Sequence, residues 1–235
     1  MTWSIIARDP SGAFGVAVAS KFFAVGAICP HGEGGVGALS TQALPNPLWG
    51  YRGMRLLREG MPAQAIVEHV TKPDPGAEQR QFHVHDARGG VAVHTGTRCV
   101  DWCGHVVRPQ LSVAGNMLAG PDVVTATAHA FETSTEKTFV RRLIAAMKAG
   151  EAAGGDKRGK QSAALLIHGE EEWPALDIRA DDHPDPLGEL ERLERVSHEL
   201  WVHFRPSMPT RQNPAGNTDR SVIDASIAAA RAKQA

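Results

Sequence analysis

Apolar and polar residues alternate in short blocks at the start of the chain. Residues 3–8 and 14–19 are rich in Ile, Val and Ala, and the turn-forming residues 9–12 (Asp-Pro-Ser-Gly) separate them. Two apolar runs around such a turn are typical of a β-hairpin. We therefore predict that the chain enters a sheet almost at once, with Thr2 at the start of its first strand.

Further strands are predicted wherever a short apolar run lies between turn signals. These runs are residues 36–42, 81–85, 91–95, 100–107, 111–114, 161–168 and 176–180. The apolar residues 22–29 are expected to be extended, and the glycine-rich residues 30–35 to form a turn. The spacing of the turns indicates antiparallel pairing.

Helical periodicity marks a second set of segments. They are residues 48–59, 62–71, 121–132, 136–149 and a segment that starts at residue 185. Thr133 and Glu136 have the spacing of a capping box, and Gly150 is expected to end the same helix. Runs of strands thus alternate with pairs of helices, which predicts an α+β fold with antiparallel sheets covered by helices on both sides.

The end of the sequence differs from the rest. Residues 204–217 are rich in Pro, Asn, Ser and Arg, and residues 219–232 are rich in Ala with a weak apolar side. Such a helix buries little apolar surface and is marginal by itself. We predict one domain over residues 1–203, followed by a linker and helical tail over residues 204–235.

Composition removes several classes of function. The 235 residues include 42% hydrophobic residues, and 25 basic residues balance 26 acidic ones, so no basic surface for nucleic acid is expected. No secretion signal or membrane-spanning run is evident, and we predict no membrane association. Three cysteines with no disulfide framework agree with a reducing compartment, which predicts a cytoplasmic protein.

Thr2 is the first candidate for chemistry. A small residue behind Met1 normally permits removal of the initiator methionine, which would leave a threonine with a free α-amine. The hydroxyl is then the nucleophile, and the amine, with a reference pKa of about 8, is its base. Lys21, at the end of the hairpin, is a candidate to lower the pKa of this amine by charge repulsion. The alternative for Lys21 is a solvated residue at the end of a strand.

Four separated strings resemble one family. They are T-x-S-I-x-A-R-D at residues 2–9, A-V-A-S-K-F at 17–22, G-N-M-L-A-G-P at 115–121 and G-G-D-x-R-G-x-Q-S-A-A-L-L at 154–166. Together they resemble the domain of unknown function 1028 family from Thr2 to about Glu194. Members of that family are placed among proteins with the N-terminal nucleophile (Ntn) hydrolase fold. The resemblance implies a four-layer αββα sandwich, with two antiparallel sheets between pairs of helices.

The resemblance also implies that the junctions between strands and helices converge on Thr2. Asn116 is then a candidate oxyanion donor, with a turn residue as the alternative interpretation. Ser162 is similar by position to a serine that bonds the terminal amine. Arg158 either pairs with Asp156 or holds a substrate carboxylate. The candidates for substrate binding are Ser20, Thr41, Gln42, Asn46, Asp156, Arg158 and Gln161.

Together with the resemblance, these residues predict an amidohydrolase that cleaves a non-peptide C–N bond, such as an amide or ureido bond, in a small molecule. Arg158 and Lys21 near the predicted pocket are compatible with a carboxylate on that molecule. No cofactor is predicted, and the resemblance suggests a homodimer. One alternative is a binding protein that has the sandwich but no activity. Another is a metal-dependent hydrolase with His83 and His85 as ligands, although eleven histidines produce such pairs by chance.

Overall fold

The computed structural model describes residues 2–232, which form ten strands and seven α-helices. The strands are β1 (Thr2–Arg8), β2 (Phe14–Ser20), β3 (Pro30–Glu33), β4 (Gly37–Ala43), β5 (Arg80–Asp86), β6 (Val91–Thr95), β7 (Gly104–Arg108), β8 (Leu111–Asn116), β9 (Ser162–His168) and β10 (Leu176–Ala180). The helices are α1 (Pro47–Arg58), α2 (Ala63–Thr71), α3 (Asp122–Thr133), α4 (Phe139–Ala152), α5 (Pro186–Ser197), α6 (Trp201–Phe204) and α7 (Arg220–Ala232). The predicted α+β class is confirmed.

The larger sheet, within the described residues, has six antiparallel strands in the order β10-β9-β2-β1-β8-β7. The predicted hairpin is present, and β1 lies in the interior of the sheet between β2 and β8. The register pairs Thr2 with Ser20 on one side and with Asn116 on the other. Ser20 in turn pairs with Ser162 on β9. Four polar residues therefore follow one another across one end of the sheet.

The smaller sheet has the order β3-β4-β5-β6, and helices α1 and α2 pack on it. Its side toward these helices is apolar, and a buried cluster there contains Leu39, Phe82 and Val84 together with Trp49 and Ile66 from the helices. Alternate residues on β4 and β5 point to the opposite side, because strand side chains have a period of two. Those residues contact the larger sheet.

Helices α3 and α4 pack on the larger sheet. Gly15 on β2 permits a close approach of α4, since a Cβ atom at this position would lie 2.4 Å from Leu143 Cδ1 and 2.9 Å from the Phe139 ring. Between the two sheets, one region is apolar, with Ile6, Phe14, Val16 and Ala38. The region nearest to Thr2 is polar.

Several predicted details are wrong. Residues 22–29 are not extended: they contain a 3₁₀ helix at Val25–Ala27, preceded by Ala24 with a left-handed backbone (φ 51°). Residues 30–33 belong to β3 and not to a turn, because they pair with β4. The strand predicted at 100–107 starts only at Gly104.

The predicted capping box is also wrong. Helix α4 begins at Phe139, where the side chain of Thr138 accepts a hydrogen bond from the backbone N–H of Arg141. The helix continues through Gly150 to Ala152. Thr133 is instead the last residue of α3, and Thr138, with an extended backbone, is the N-cap of α4.

The chain divides into two compact units at Leu190 and Glu191. The first unit contains both sheets and the helices that pack on them. In the second, α6 contacts α7, and Ile223 and Ile227 of α7 are buried. The predicted boundary at residue 203 stays a prediction, and residues 233–235 of the predicted tail lie outside the described residues. None of the helices described is both long and apolar enough to cross a membrane.

Candidate active site

Thr2 is the first residue of an interior strand and is only 5% exposed. Its hydroxyl lies 3.1 Å from the Ser20 hydroxyl, and either oxygen is able to donate the hydrogen bond. The β1 register brings Ser20 to this position, since the two residues face each other across the hairpin. A hydroxyl at the end of a buried strand, beside a second hydroxyl, is held in a defined direction.

The main chain of Thr2 is held from the other side. Asn116 Nδ2 donates to the Thr2 carbonyl at 3.2 Å, and Gln42 Nε2 lies 3.5 Å from the same oxygen. Asn116 Nδ2 also donates to Gln81 Oε1 at 3.2 Å. Both N–H bonds of the Asn116 amide are thus engaged, which favours a positioning role for this residue. Its predicted role as an oxyanion donor stays a prediction.

Gln81 joins the two sheets at this point. Its side-chain oxygen accepts from Gln42 Nε2 at 2.7 Å as well as from Asn116. Its Nε2 donates to the backbone oxygens of Gly104 and Gly115, each at 3.0 Å. Gln81 is fully buried, so each of these bonds replaces one that water would otherwise make. The sequence analysis missed this residue, because glutamine in a strand carries no signal of its partners.

The polar network continues away from Thr2. Ser4 Oγ donates to Gln42 Oε1 at 2.6 Å and lies 2.8 Å from His83 Nε2. The two rings of His83 and His85 both reach Ser112 Oγ at 2.8 Å, one through Nδ1 and the other through Nε2. Burial lowers the pKa of His83 well below its usual value, and it lowers the pKa of His85 to about 3. Both rings are therefore neutral parts of the interior.

These contacts argue against the alternative in which His83 and His85 are metal ligands. Each histidine ring is already bonded to hydroxyl groups. Across residues 2–232, no group of three His, Cys, Asp or Glu side chains is placed to hold a metal ion. The hydrogen-bond partners of the His83 and His85 rings are serines, which are poor ligands for zinc compared with His and Cys. The pair of histidines serves the contact between the sheets.

Ser162 and Lys21, the other predicted catalytic residues, lie at the same end of the larger sheet, but their side chains bond backbone groups of nearby loops. Ser162 Oγ donates to the carbonyl of Phe22 and accepts from the backbone N–H of Val25 at 3.1 Å. Lys21 Nζ donates to the carbonyl of Lys160 at 3.1 Å. Ser162 thus holds the loop after β2, and the Lys21 ammonium group lies on the loop before β9. Their proposed roles toward the amine of Thr2 stay predictions.

Asp156 organises that second loop. Its carboxylate accepts from the backbone N–H groups of Lys21 and Arg158, each at 2.8 Å, and from Arg158 Nη2 at 3.3 Å. Of the two interpretations left open by the sequence, this geometry favours the ion pair that shapes the loop. A small cavity of about 130 Å³ lies beside it, lined partly by Trp3, Ser20 and Asp156.

The remaining predicted pocket residues are spread out. Thr41 is buried, and its hydroxyl donates to the carbonyl of Asn46 at 3.3 Å. Asn46 caps α1 through the N–H of Leu48 and donates to Asp74. Gln161 Nε2 donates to Asp182 at 3.2 Å. Among the predicted binding residues, the structure therefore brings Ser20 and Gln42 to Thr2, whereas Thr41, Asn46 and Gln161 have structural contacts elsewhere.

A larger cavity of about 410 Å³ opens beside Asn116. It is lined by Ala43, Leu44, Gln79, Arg98, Val100, Asn116 and Met117. Ala43 (φ 73°) and Met117 (φ 55°) have left-handed backbones, which cost energy in residues with a side chain and which cluster at functional sites. The sequence analysis did not identify Arg98 or Gln79, since neither lies in a motif.

The cysteines are not alternative nucleophiles. Burial raises the pKa of Cys29 to about 12 and that of Cys99 to about 11. Burial also raises the pKa of Cys103. A thiol attacks as its thiolate, so burial makes these groups weaker nucleophiles at neutral pH than free cysteine. The role of Thr2 as the nucleophile stays a prediction.

Comparison with known proteins identifies the family of this chain. Residues 2–190 match the family of unknown function DUF1028. A solved structure of that family, protein SPO2555 from Silicibacter pomeroyi, is 34% identical, with a TM-score of 0.86 over 93% of this chain and 99% of its own.

More distant similarity is to Anbu proteins. A Gly-1 mutant from Hyphomicrobium sp. strain MC1 is 9% identical, with a TM-score of 0.44 over 84% of this chain and 94% of its own. The ancestral beta-subunit Anbu from Yersinia bercovieri is 10% identical, with a TM-score of 0.42 over 83% and 94% of the two chains. No curated protein matches the sequence.

Proposed function

We propose that this chain, which belongs to the family of unknown function DUF1028, is an Ntn-type amidohydrolase with Thr2 as its nucleophile. The proposed substrate is a small molecule with a non-peptide C–N bond, in an amide or ureido group. The observation that carries the proposal is the position of Thr2 at the end of an interior strand, with its hydroxyl beside Ser20 and its carbonyl held by Asn116. The two sheets and two helix pairs support the four-layer sandwich that such enzymes share.

The proposed reaction proceeds through an ester. The Thr2 hydroxyl oxygen attacks the substrate carbonyl carbon, and the α-amine of Thr2 accepts the hydroxyl proton. The C–N bond breaks as the ammonium returns this proton to the leaving nitrogen. Water then attacks the ester carbonyl, with the same amine as base, and the acid product leaves as the Thr2 hydroxyl is restored.

The surrounding residues have defined parts in this scheme. Ser20 orients the Thr2 hydroxyl through the 3.1 Å contact, and Asn116 and Gln42 fix the main chain that carries the amine. Fixed geometry of this kind removes the entropic cost of bringing base and nucleophile together. Lys21 is retained in the proposal as a source of positive charge near the terminus.

The scheme requires that everything before Thr2 is removed. The predicted loss of Met1 falls on a residue outside those described, so it is tested directly. Intact mass and amino-terminal sequencing of purified, untagged protein should give a chain that starts at Thr2. Retention of a preceding residue in the whole sample would contradict the amine mechanism.

Turnover is tested with Thr2→Ala and Thr2→Ser on a panel of small amides and ureido acids, with product amine measured by mass spectrometry. We expect Thr2→Ala to lose at least about a thousandfold in rate, since a nucleophile is removed. Thr2→Ser keeps a hydroxyl and should keep measurable activity. Equal activity in the wild type and Thr2→Ala would refute the proposal. A Thr2→Ala variant that binds these compounds, with a wild type that never turns them over, would support a binding protein.

One observation favours the second candidate function, a binding protein without activity. The Lys21 ammonium bonds the carbonyl of Lys160, and both amide hydrogens of Asn116 are engaged. Two groups that an enzyme would direct at an oxyanion or amine are therefore occupied by the protein itself. The proposal of a cytoplasmic homodimer stands beside both functions, and light scattering with cell fractionation tests it.

A further inference from the structure

We propose that the 410 Å³ cavity beside Asn116 binds the carboxylate of the substrate through Arg98, so that the substrate is an N-acyl or N-carbamoyl amino acid. This inference rests on the proposed function for the bond that is cleaved. It adds the class of molecule and a binding residue that the sequence motifs do not include.

The cavity is connected to Thr2 by shared contacts. Asn116 lines it and also donates to the Thr2 carbonyl. Ala43 lines it and directly follows Gln42, whose side chain lies 3.5 Å from the same carbonyl oxygen. A volume of about 410 Å³ lies within the range of about 300–1,000 Å³ that is typical of small-molecule sites. A bound molecule in this cavity therefore lies next to the residues that hold the nucleophile.

The arginines near this end of the sheets differ in whether a carboxylate of the protein already pairs with them. Arg80 pairs with Asp74 at 2.9 Å and also donates to the carbonyl of Leu44. Arg158 pairs with Asp156. For Arg98, by contrast, the part of the chain described provides no hydrogen bond or ion pair to the guanidinium group. Its fork of donors is free to bind a carboxylate in bidentate geometry.

The Glu78 carboxylate is bonded to Thr97 and not to the Arg98 guanidinium group. Glu78 Oε2 accepts from the backbone N–H of Thr97 at 2.9 Å and from its hydroxyl at 2.6 Å. These hydrogen bonds, together with the smaller effect of the charges of His94 and Arg98, lower the pKa of Glu78, so its carboxylate is charged and directed at Thr97. The backbone N–H of Arg98 bonds the Glu78 carbonyl at 2.7 Å, which anchors the segment while its side chain remains at the cavity.

The rest of the lining fits an acylated amino acid. Leu44 and Val100 are large apolar residues that are more than half exposed, at 56% and 55%. They offer an apolar surface to an amino-acid side chain. Gln79 also lines the cavity and adds an amide able to donate or accept. One free cation, one amide and an apolar rim match a molecule with one carboxylate and one apolar group.

The test measures binding without turnover. Thr2→Ala protein is titrated by calorimetry with N-acetyl and N-carbamoyl derivatives of leucine and phenylalanine, each as the free acid and as the primary amide. We expect the acids to bind about tenfold to a hundredfold more tightly than the amides, as a charge-assisted bond predicts. Adding Arg98→Gln should remove this preference, and adding Arg98→Lys should keep part of it.

Arg52→Gln is the matched control, because Arg52 is an exposed arginine on α1 outside the cavity lining. It should leave the preference for acids unchanged. No binding of the acids at millimolar concentration, equal binding of acids and amides, or a preference that survives Arg98→Gln would each overturn the inference. An unchanged thermal midpoint shows that the Arg98 variants are folded.

The two proposals fail in different ways. If Thr2→Ala binds acids through Arg98 but the wild type never cleaves them, the hydrolase function is wrong and the anion site stands. If the wild type cleaves the neutral amides as well as the acids, and Arg98→Gln does not change either rate, the hydrolase function stands and the anion site is wrong.

Discussion

The two sides of the smaller sheet differ in almost every property. The side toward α1 and α2 presents Leu39, Phe82 and Val84, which pack with Trp49 and Ile66 in one buried apolar cluster. Such a surface stabilises by the area it removes from water, at about 25 cal/mol for each Å². Its contribution depends on volume and contact more than on direction.

The side toward the larger sheet is equally buried but polar. Gln42, Gln81, His83 and His85 are at most 1% exposed, and every one of these side chains makes a directional bond to the larger sheet or to a neighbour in this network. A hydrogen bond contributes only about 1 kcal/mol net, yet an unpaired buried donor costs about 1–3 kcal/mol. A shift of one sheet against the other would break several bonds together. The apolar side therefore supplies stability, and the polar side fixes where Thr2 lies.

The largest effect is expected on the apolar side. Phe82→Ala removes a fully buried ring that contacts Trp49 edge-on, with centroids 5.6 Å apart. We expect a loss of about 3–5 kcal/mol in the free energy of unfolding, measured by urea denaturation. Phe23→Ala is the control, because Phe23 is 63% exposed and should change stability by less than about 0.5 kcal/mol. Similar losses in the two variants would contradict this account of the cluster.

A smaller loss of stability, with a larger loss of function, is expected on the polar side. Gln81→Leu removes the acceptor of Gln42 and Asn116 and the donor to the carbonyls of Gly104 and Gly115. The free energy of unfolding should fall by about 2–3 kcal/mol. Because Asn116 loses a partner, ligand binding or turnover at Thr2 should fall as well.

Gln79→Leu is the control for the change in stability alone, because Gln79 also lines the proposed binding cavity. Gln79 is a partly exposed glutamine two residues earlier, and no hydrogen bond to its side chain occurs within the described residues. Its replacement should leave stability within about 0.5 kcal/mol. If Gln81→Leu were as stable as Gln79→Leu, the polar layer would not position the sheets as we describe.

The same contrast explains what sequence was able to predict. Buried strands have a signal in the sequence, because β1 and β2 are buried on both faces and therefore read as short apolar runs between turn residues. The hairpin turn at residues 9–12 and the placement of Thr2 at the start of a strand were predictable for this reason. Resemblance to the family added Asn116 as a candidate neighbour of Thr2.

The contacts of the polar side were not predictable. Gln42 and Gln81 are adjacent only through the register of β4 and β5, and a single residue of slip would separate them. Arg98 becomes a candidate only in the structure, where it lines the cavity and its guanidinium group has no hydrogen bond or ion pair within residues 2–232. Lys21 and Ser162 lie in the expected segments, but their side chains bond backbone carbonyl and N–H groups that could not be identified from the sequence.

The smallest predicted effect is a dependence of stability on pH that is caused by one side chain of the polar side, His85. Burial, partly offset by the charge of Asp86, lowers the pKa of His85 to about 3, whereas in the unfolded chain it is about 6.5. Between these values only the unfolded state binds the proton, so stability falls as the pH falls below about 6.5. One unit below that value, this histidine alone should cost about 1.4 kcal/mol.

His85→Asn tests this dependence, since an asparagine amide is able to bond Ser112 but does not titrate. We expect the free energy of unfolding of the variant to fall less steeply than that of the wild type between about pH 6.5 and 5.5, by urea denaturation at each pH. At pH 8, where histidines are neutral in both states, the two curves should run parallel. The other buried histidines are present in both proteins, and carboxylates titrate below this window, so the difference in slope belongs to His85. Parallel curves throughout would mean that this ring is protonated or exposed, and that the polar layer is open to water at Ser112.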